Sequence, residues 1–80
     1  MHDAQGRLIN CFSAVFPELS GETIPGSSVA TVEGWDSMAS ITLLTVVEEE
    51  FGFEIEPQEM AELLSFELIL DYVRAIDDGS

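Results

Sequence analysis

The sequence predicts an all-α fold, a four-helix bundle with one long connection after the first helix and a short third helix. Three observations carry that prediction. Apolar residues recur at helical spacing, residues suited to helix ends stand where those stripes begin and stop, and no strand-like alternation interrupts them.

The first stripe is Leu8, Phe12, Val15, Phe16 and Leu19, at i, i+4, i+7, i+8 and i+11. Pro17 disfavours helical geometry at the residue before it, so the first helix runs from about Asp3 to Val15 or Phe16. Residues 17 to 36 have no sustained period and are rich in Pro, Gly and Ser, which marks one long connection. A loop of that length in so short a chain is functional or anchored. Leu19, Ile24, Val29, Val32 and Trp35 are its candidate anchors, each expected to dip into the core.

A second helix starts at Asp36 or Ser37 and runs to about Phe51. Asp36 suits the N-cap, where a carboxylate accepts from the exposed amides of the first turn. Gly52 stands where a C-cap glycine belongs. Leu43, Val46, Val47 and Phe51 are its core residues. Pro57 fits the first position of a short third helix, to about Leu63. Ser65 then caps a fourth, whose Ile69, Tyr72, Val73 and Ile76 recur at i, i+3, i+4 and i+7.

Composition bounds what such a bundle does. The 80 residues fit one domain, 1–80, and 46% apolar content supplies a modest core. Sixteen carboxylates face only Arg7 and Arg74, there is no lysine, and the net charge is −14. Nucleic acid is excluded as a partner, because phosphate contacts are built from Lys and Arg. A field of one sign instead favours basic protein partners. The single Cys11 cannot form an internal disulfide and reads as a small buried apolar side chain. There is no membrane-length apolar run and no leader-like opening, which points to the cytoplasm, and a monomer is expected.

Catalysis by the chain itself is not expected. His2 is the only histidine and is expected at a frayed terminus, which disfavours a Ser–His or Cys–His nucleophile pair, and one His with one Cys is too few for a zinc site. No calcium-loop pattern or glycine-rich phosphate loop is present, so no metal is expected. Ser37 remains. It follows an N-cap Asp, directly after the long loop, at the head of an amphipathic helix. There the macrodipole and the first-turn amides favour negative charge, and a phosphodiester on that hydroxyl would be well placed.

Residues 34 to 51, Gly-Trp-Asp-Ser-Met-Ala-Ser-Ile-Thr-Leu-Leu-Thr-Val-Val-Glu-Glu-Glu-Phe, resemble the attachment segment of acyl and peptidyl carrier proteins. That family opens its second helix on an Asp-Ser-Leu-type tripeptide and closes it on Glu-Glu-Phe or similar. The likeness continues through Gly52, Phe53 and Ile55 to a Ser-Phe-x-x-Ile-x-x-Tyr-Val fourth helix, so it covers nearly the whole chain. It implies a freestanding acyl carrier protein of acyl-carrier-like fold. Ser37 would receive 4′-phosphopantetheine from coenzyme A through a Mg²⁺-dependent phosphopantetheinyl transferase, with Asp36 flanking the attachment site. The arm's thiol would hold an acyl or aminoacyl thioester. Met38, Ile41, Glu48 and Glu49 would meet partners, namely acyl-transferring, condensing or adenylating enzymes with basic patches.

The departures from the family pattern point to a dedicated pathway: polyketide, nonribosomal peptide, or lipid and glycan modification. Fatty-acid carriers have leucine where Met38 stands and acidic residues where Ser40 and Thr42 stand, and Trp35 is commoner in specialised carriers. Housekeeping fatty-acid synthesis is the alternative. An acidic helical interaction module without a prosthetic group is the alternative of another class.

Overall fold

The structure is a computed structural model that describes residues 4 to 79, with the side chains of 77 to 79 left aside. Four helices form: α1 (Ala4–Val15), α2 (Ser37–Phe51), α3 (Pro57–Met60) and α4 (Phe66–Gly79), with one 3₁₀ turn, Ile24–Gly26, in the long connection. The all-α expectation holds. Among the described residues the only extended pairing is an isolated antiparallel bridge between Ser28 and Ser65.

The core is where the first stripe meets the later ones. Leu8, Phe12 and Phe16 of the α1 stripe are buried, and so are Leu43, Leu44 and Val47 of α2 and Phe66, Ile69, Leu70 and Val73 of α4. Val15, Val46, Phe51 and Tyr72 pack partly buried against them. Leu44 lies outside the core set expected from sequence, although it stands three residues before Val47, the spacing of a shared face. Phe12 is the centre of an aromatic cluster. Its ring lies 5.2 Å from Phe66 and 5.4 Å from Trp35, both edge-on, and 6.2 Å from Phe16. Such pairs add about 1 kcal/mol beyond simple burial.

The long connection is anchored as expected, with one exception. Ile24, Val32 and Trp35 are buried, and Leu19 packs partly buried against the core. Val29 does not dip inward; its side chain is exposed. Its backbone N–H donates to the Leu64 carbonyl at 3.0 Å, and that pairing turns the side chain out. The neighbouring Ser27 is buried, with its hydroxyl on the Ile24 carbonyl and its own carbonyl accepting from Phe66 N–H. The connection is therefore stitched by backbone bonds to the start of α4.

The same stitching shortens α3, which was expected to reach Leu63 and ends at Met60. Beyond it the chain runs in three-residue turns, with Glu62 N–H on the Glu59 carbonyl and Leu63 N–H on Met60. Leu64 must offer its carbonyl to Val29, and that geometry draws the chain out of the helix. The expected first-helix residue Asp3 lies outside the described residues, as does His2. At α4, Ser65 is the cap: its hydroxyl accepts from Leu68 N–H at 3.1 Å.

Candidate functional site

The site is built at the first turn of α2. Asp36 has an extended backbone (φ −99°, ψ −171°) and its Oδ1 accepts from Ala39 N–H at 2.9 Å, the N-cap geometry expected from sequence. Its backbone carbonyl accepts from Ser40 N–H at 2.9 Å, which begins the helical ladder. Ser37 is therefore the first residue of α2, and its side chain is exposed. Nothing among the described residues bonds its hydroxyl. Helix heads of this kind leave their first amides without intrahelical partners, and the macrodipole there favours an anion.

Trp35 fixes the approach to this turn. It is only 4% exposed and leans on Phe12 and, at 5.7 Å, on Phe16 of α1. Its indole Nε1–H donates to Ser40 Oγ at 2.7 Å. Sequence reasoning placed Trp35 as a packing anchor but missed Ser40 as its partner. The spacing of five residues across a helix start was the available signal.

Beside Ser37 lies a groove of about 460 Å³, lined by Ser37, Ser40 and Ile41 of α2, Pro57 and Met60 of α3, and Ala61 and Leu64 beyond it. Its walls are largely apolar, and Ser37 is one of the residues that line it. A slender chain attached at the Ser37 oxygen, with a phosphodiester at the helix head and an apolar or amide-bearing stem, fits this shape. Ser37 would carry the phosphate end at the helix head, with Asp36 flanking it as the cap, and Ile41, Met60 and Leu64 would flank the stem.

The other residues singled out from sequence divide in two. Met38 and Ile41 stand out from the protein at 76% and 58% exposure, an apolar pair beside Ser37. Thr42 and Thr45 turn their hydroxyls onto the carbonyls of Met38 and Ile41, which lets two β-branched polar residues sit in the helix. At the far end of α2 the glutamate run divides. Glu48 is half-buried, and its Oε2 accepts from Ile55 N–H at 2.6 Å. Glu50 pairs with Arg7, whose Nε lies 2.8 Å from its Oε2. Glu49 is exposed. The structure thus brings Asp36, Ser37, Met38 and Ile41 together at one end of α2 and puts Glu48 and Glu49 at the other.

Two titratable groups away from the groove are perturbed. Burial pushes the Cys11 thiol up to about 11, with the Glu50 charge adding and Arg7 opposing. A thiol held protonated and buried is a poor nucleophile, as its apolar assignment implies. Tyr72 is raised by desolvation and by the carboxylates of Glu59, Glu56 and Glu48 around it. Among the described residues no group of three or more His, Cys, Asp or Glu is arranged to hold a metal ion.

Comparison with known proteins agrees with this geometry. The family described as "Phosphopantetheine attachment site" matches residues 7–73, which include every residue of the Ser37 turn. A curated relative, "Acyl carrier protein, mitochondrial" of Dictyostelium discoideum, is 34% identical over 59 residues, 74% of this chain and 49% of that protein. The chain thus spans about half the length of that relative.

Proposed function

This chain belongs to the phosphopantetheine attachment site family, and from that premise we propose that it is an acyl carrier protein bearing 4′-phosphopantetheine on Ser37. The arm's thiol holds an acyl group as a thioester, and the protein presents it to enzymes without catalysing the chemistry itself. The observation that carries this reading is Ser37, exposed at the head of α2 with no bond to its hydroxyl among the described residues, beside a largely apolar groove that it helps to line. A phosphopantetheinyl transferase loads the arm, with Asp36 next to the reacting oxygen. Met38 and Ile41 supply apolar contact to partners, and Glu49, with Glu48 nearby, supplies charge to their basic patches.

The pathway is a dedicated one. Ser40 is engaged by Trp35 and Thr42 by the Met38 carbonyl, so the first two turns of α2 carry no carboxylate of their own. A partner that reads this turn meets an apolar, weakly charged surface, and that changes which enzymes bind well. Among the described residues no helix is long and apolar enough to cross a membrane. The proposed location is the cytoplasm, although the Dictyostelium relative is named as mitochondrial.

Incubation with coenzyme A, Mg²⁺ and a broad-specificity phosphopantetheinyl transferase tests this by intact mass. The expected result is addition of one phosphopantetheine to the wild type and none to Ser37→Ala. A wild type left unmodified by several transferases, or a Ser37→Ala protein still modified, overturns the reading.

A further inference from the structure

We propose that the Trp35–Ser40 hydrogen bond is a positioning device that sets the Ser37 hydroxyl for loading, an inference that rests on the carrier reading above. Ser37 is enclosed by three bonds made by its neighbours. Ala39 N–H donates to Asp36 Oδ1 at 2.9 Å, Ser40 N–H donates to the Asp36 carbonyl at 2.9 Å, and the Trp35 indole donates to Ser40 Oγ at 2.7 Å. The first two belong to any capped helix. The third reaches back past the cap and joins the turn to a side chain buried against α1.

That tie leads into the core. Trp35 is buried against Phe12 and Phe16 of α1, so its ring cannot shift without disturbing that helix. An indole N–H only donates, and Ser40 Oγ is its acceptor. The first turn of α2, which would otherwise fray as helix ends do, is thereby held in register with α1. The Ser37 hydroxyl inherits that order while its own side chain stays exposed.

Loading needs such order. The Ser37 oxygen attacks the phosphorus of coenzyme A that bears pantetheine. An O–P bond forms to serine, and the bond from that phosphorus to the bridging oxygen breaks. Adenosine 3′,5′-bisphosphate leaves with the bridging oxygen, and the serine proton passes to a base of the transferase or to solvent. Attack of this kind is sensitive to small misplacements of the nucleophile. Trp35 and Ser40 are positioning residues here, acting through the backbone of Ser37.

Steady-state loading by a broad-specificity transferase tests this, with coenzyme A saturating and carrier concentration varied, well below each variant's melting midpoint. Trp35→Phe keeps the ring and removes the N–H; Ser40→Ala removes the acceptor. Each is expected to lower kcat about fivefold, the weight of one hydrogen bond. KM for the carrier should change little, since Asp36, Met38 and Ile41 are untouched. The double variant should be no slower than either single one, and Ser40→Thr, which restores a hydroxyl, should recover most of the rate. Unchanged kcat in Ser40→Ala, or losses that multiply in the double variant, overturns the inference. If Trp35→Phe fails to fold, the Ser40→Ala and Ser40→Thr pair still decides it. A wild type that is never loaded defeats the carrier reading itself, whereas equal kcat in wild type and Ser40→Ala defeats only this inference.

Discussion

The two ends of α2 are built on opposite plans. At the head, the backbone is fixed by the Asp36 cap and the Trp35–Ser40 bond, and the side chains of Ser37, Met38 and Ile41 are left outside. At the tail, the side chains on either side of exposed Glu49 are spent on structure. Arg7 donates to both the Glu50 carboxylate and, at 2.6 Å, the Glu50 carbonyl, and its guanidinium lies 4.5 Å over the Phe51 ring. Glu48 holds Ile55, and Gly52 closes the helix at φ 76° with its N–H on the Glu48 carbonyl. A glycine is suited to that left-handed position because a side chain there is strained. On the proposed reading, α2 thus keeps its apolar contact surface at the head and most of its stabilising side-chain bonds at the tail, where exposed Glu49 is left to supply charge.

If that division is real, substitutions at the two ends should affect different measurements. The largest loss of stability is expected for Arg7→Ala, which removes an ion pair, a charge-assisted bond to a helix C-terminus and a cation–π contact. About 1–2 kcal/mol should be lost by urea titration, the ion pair being partly exposed and worth little alone. Loading of Ser37 should continue at the wild-type rate. Glu48→Ala should cost about 1 kcal/mol, because the half-buried Ile55 N–H loses its acceptor. A stability unchanged by either substitution would break the assignment of the tail to structure. At the head, Met38→Ser and Ile41→Ser should leave stability within about 0.5 kcal/mol. They should instead raise KM for an enzyme that docks on this face by about fivefold, near the worth of one apolar contact. A fall in stability with KM unchanged would reverse the assignment of the two ends.

Local signals were legible in the sequence and remote ones were not. Asp36, Gly52, Pro57 and Ser65 mark helix ends through bonds to residues a few positions away, and all four take the expected places. The stripe from Leu8 to Phe16 likewise reports one face of one helix. The head of α2 could be recognised from Asp36, Ser37 and the helix that follows them, although the Trp35–Ser40 bond beside them was not foreseen. The tail could not: Arg7 and Glu50 are 43 positions apart, and nothing local to either names the other. The expectation that Val29 turns inward and α3 reaches Leu63 failed for one shared reason. Both segments answer to a backbone bond between residues 29 and 64, and backbone pairing has no residue-type signature at such distance. Glu48 carries the same lesson in a side chain. A glutamate in a run of three looks solvated, yet this one closes the turn into Ile55.

The Arg7 clamp also shapes what an approaching molecule feels. One of only two cations in the chain is committed to Glu50, so the outer surface presents little positive charge to offset 16 carboxylates. The body measures 34 × 28 × 17 Å, while charges in physiological salt are felt over only about 8 Å. A basic enzyme is therefore drawn to whichever side it meets first. Attraction of this sort sorts visitors by sign and leaves their orientation open, so on the proposed reading the choice of the correct side would fall to short-range contact with the apolar prominence around Ser37.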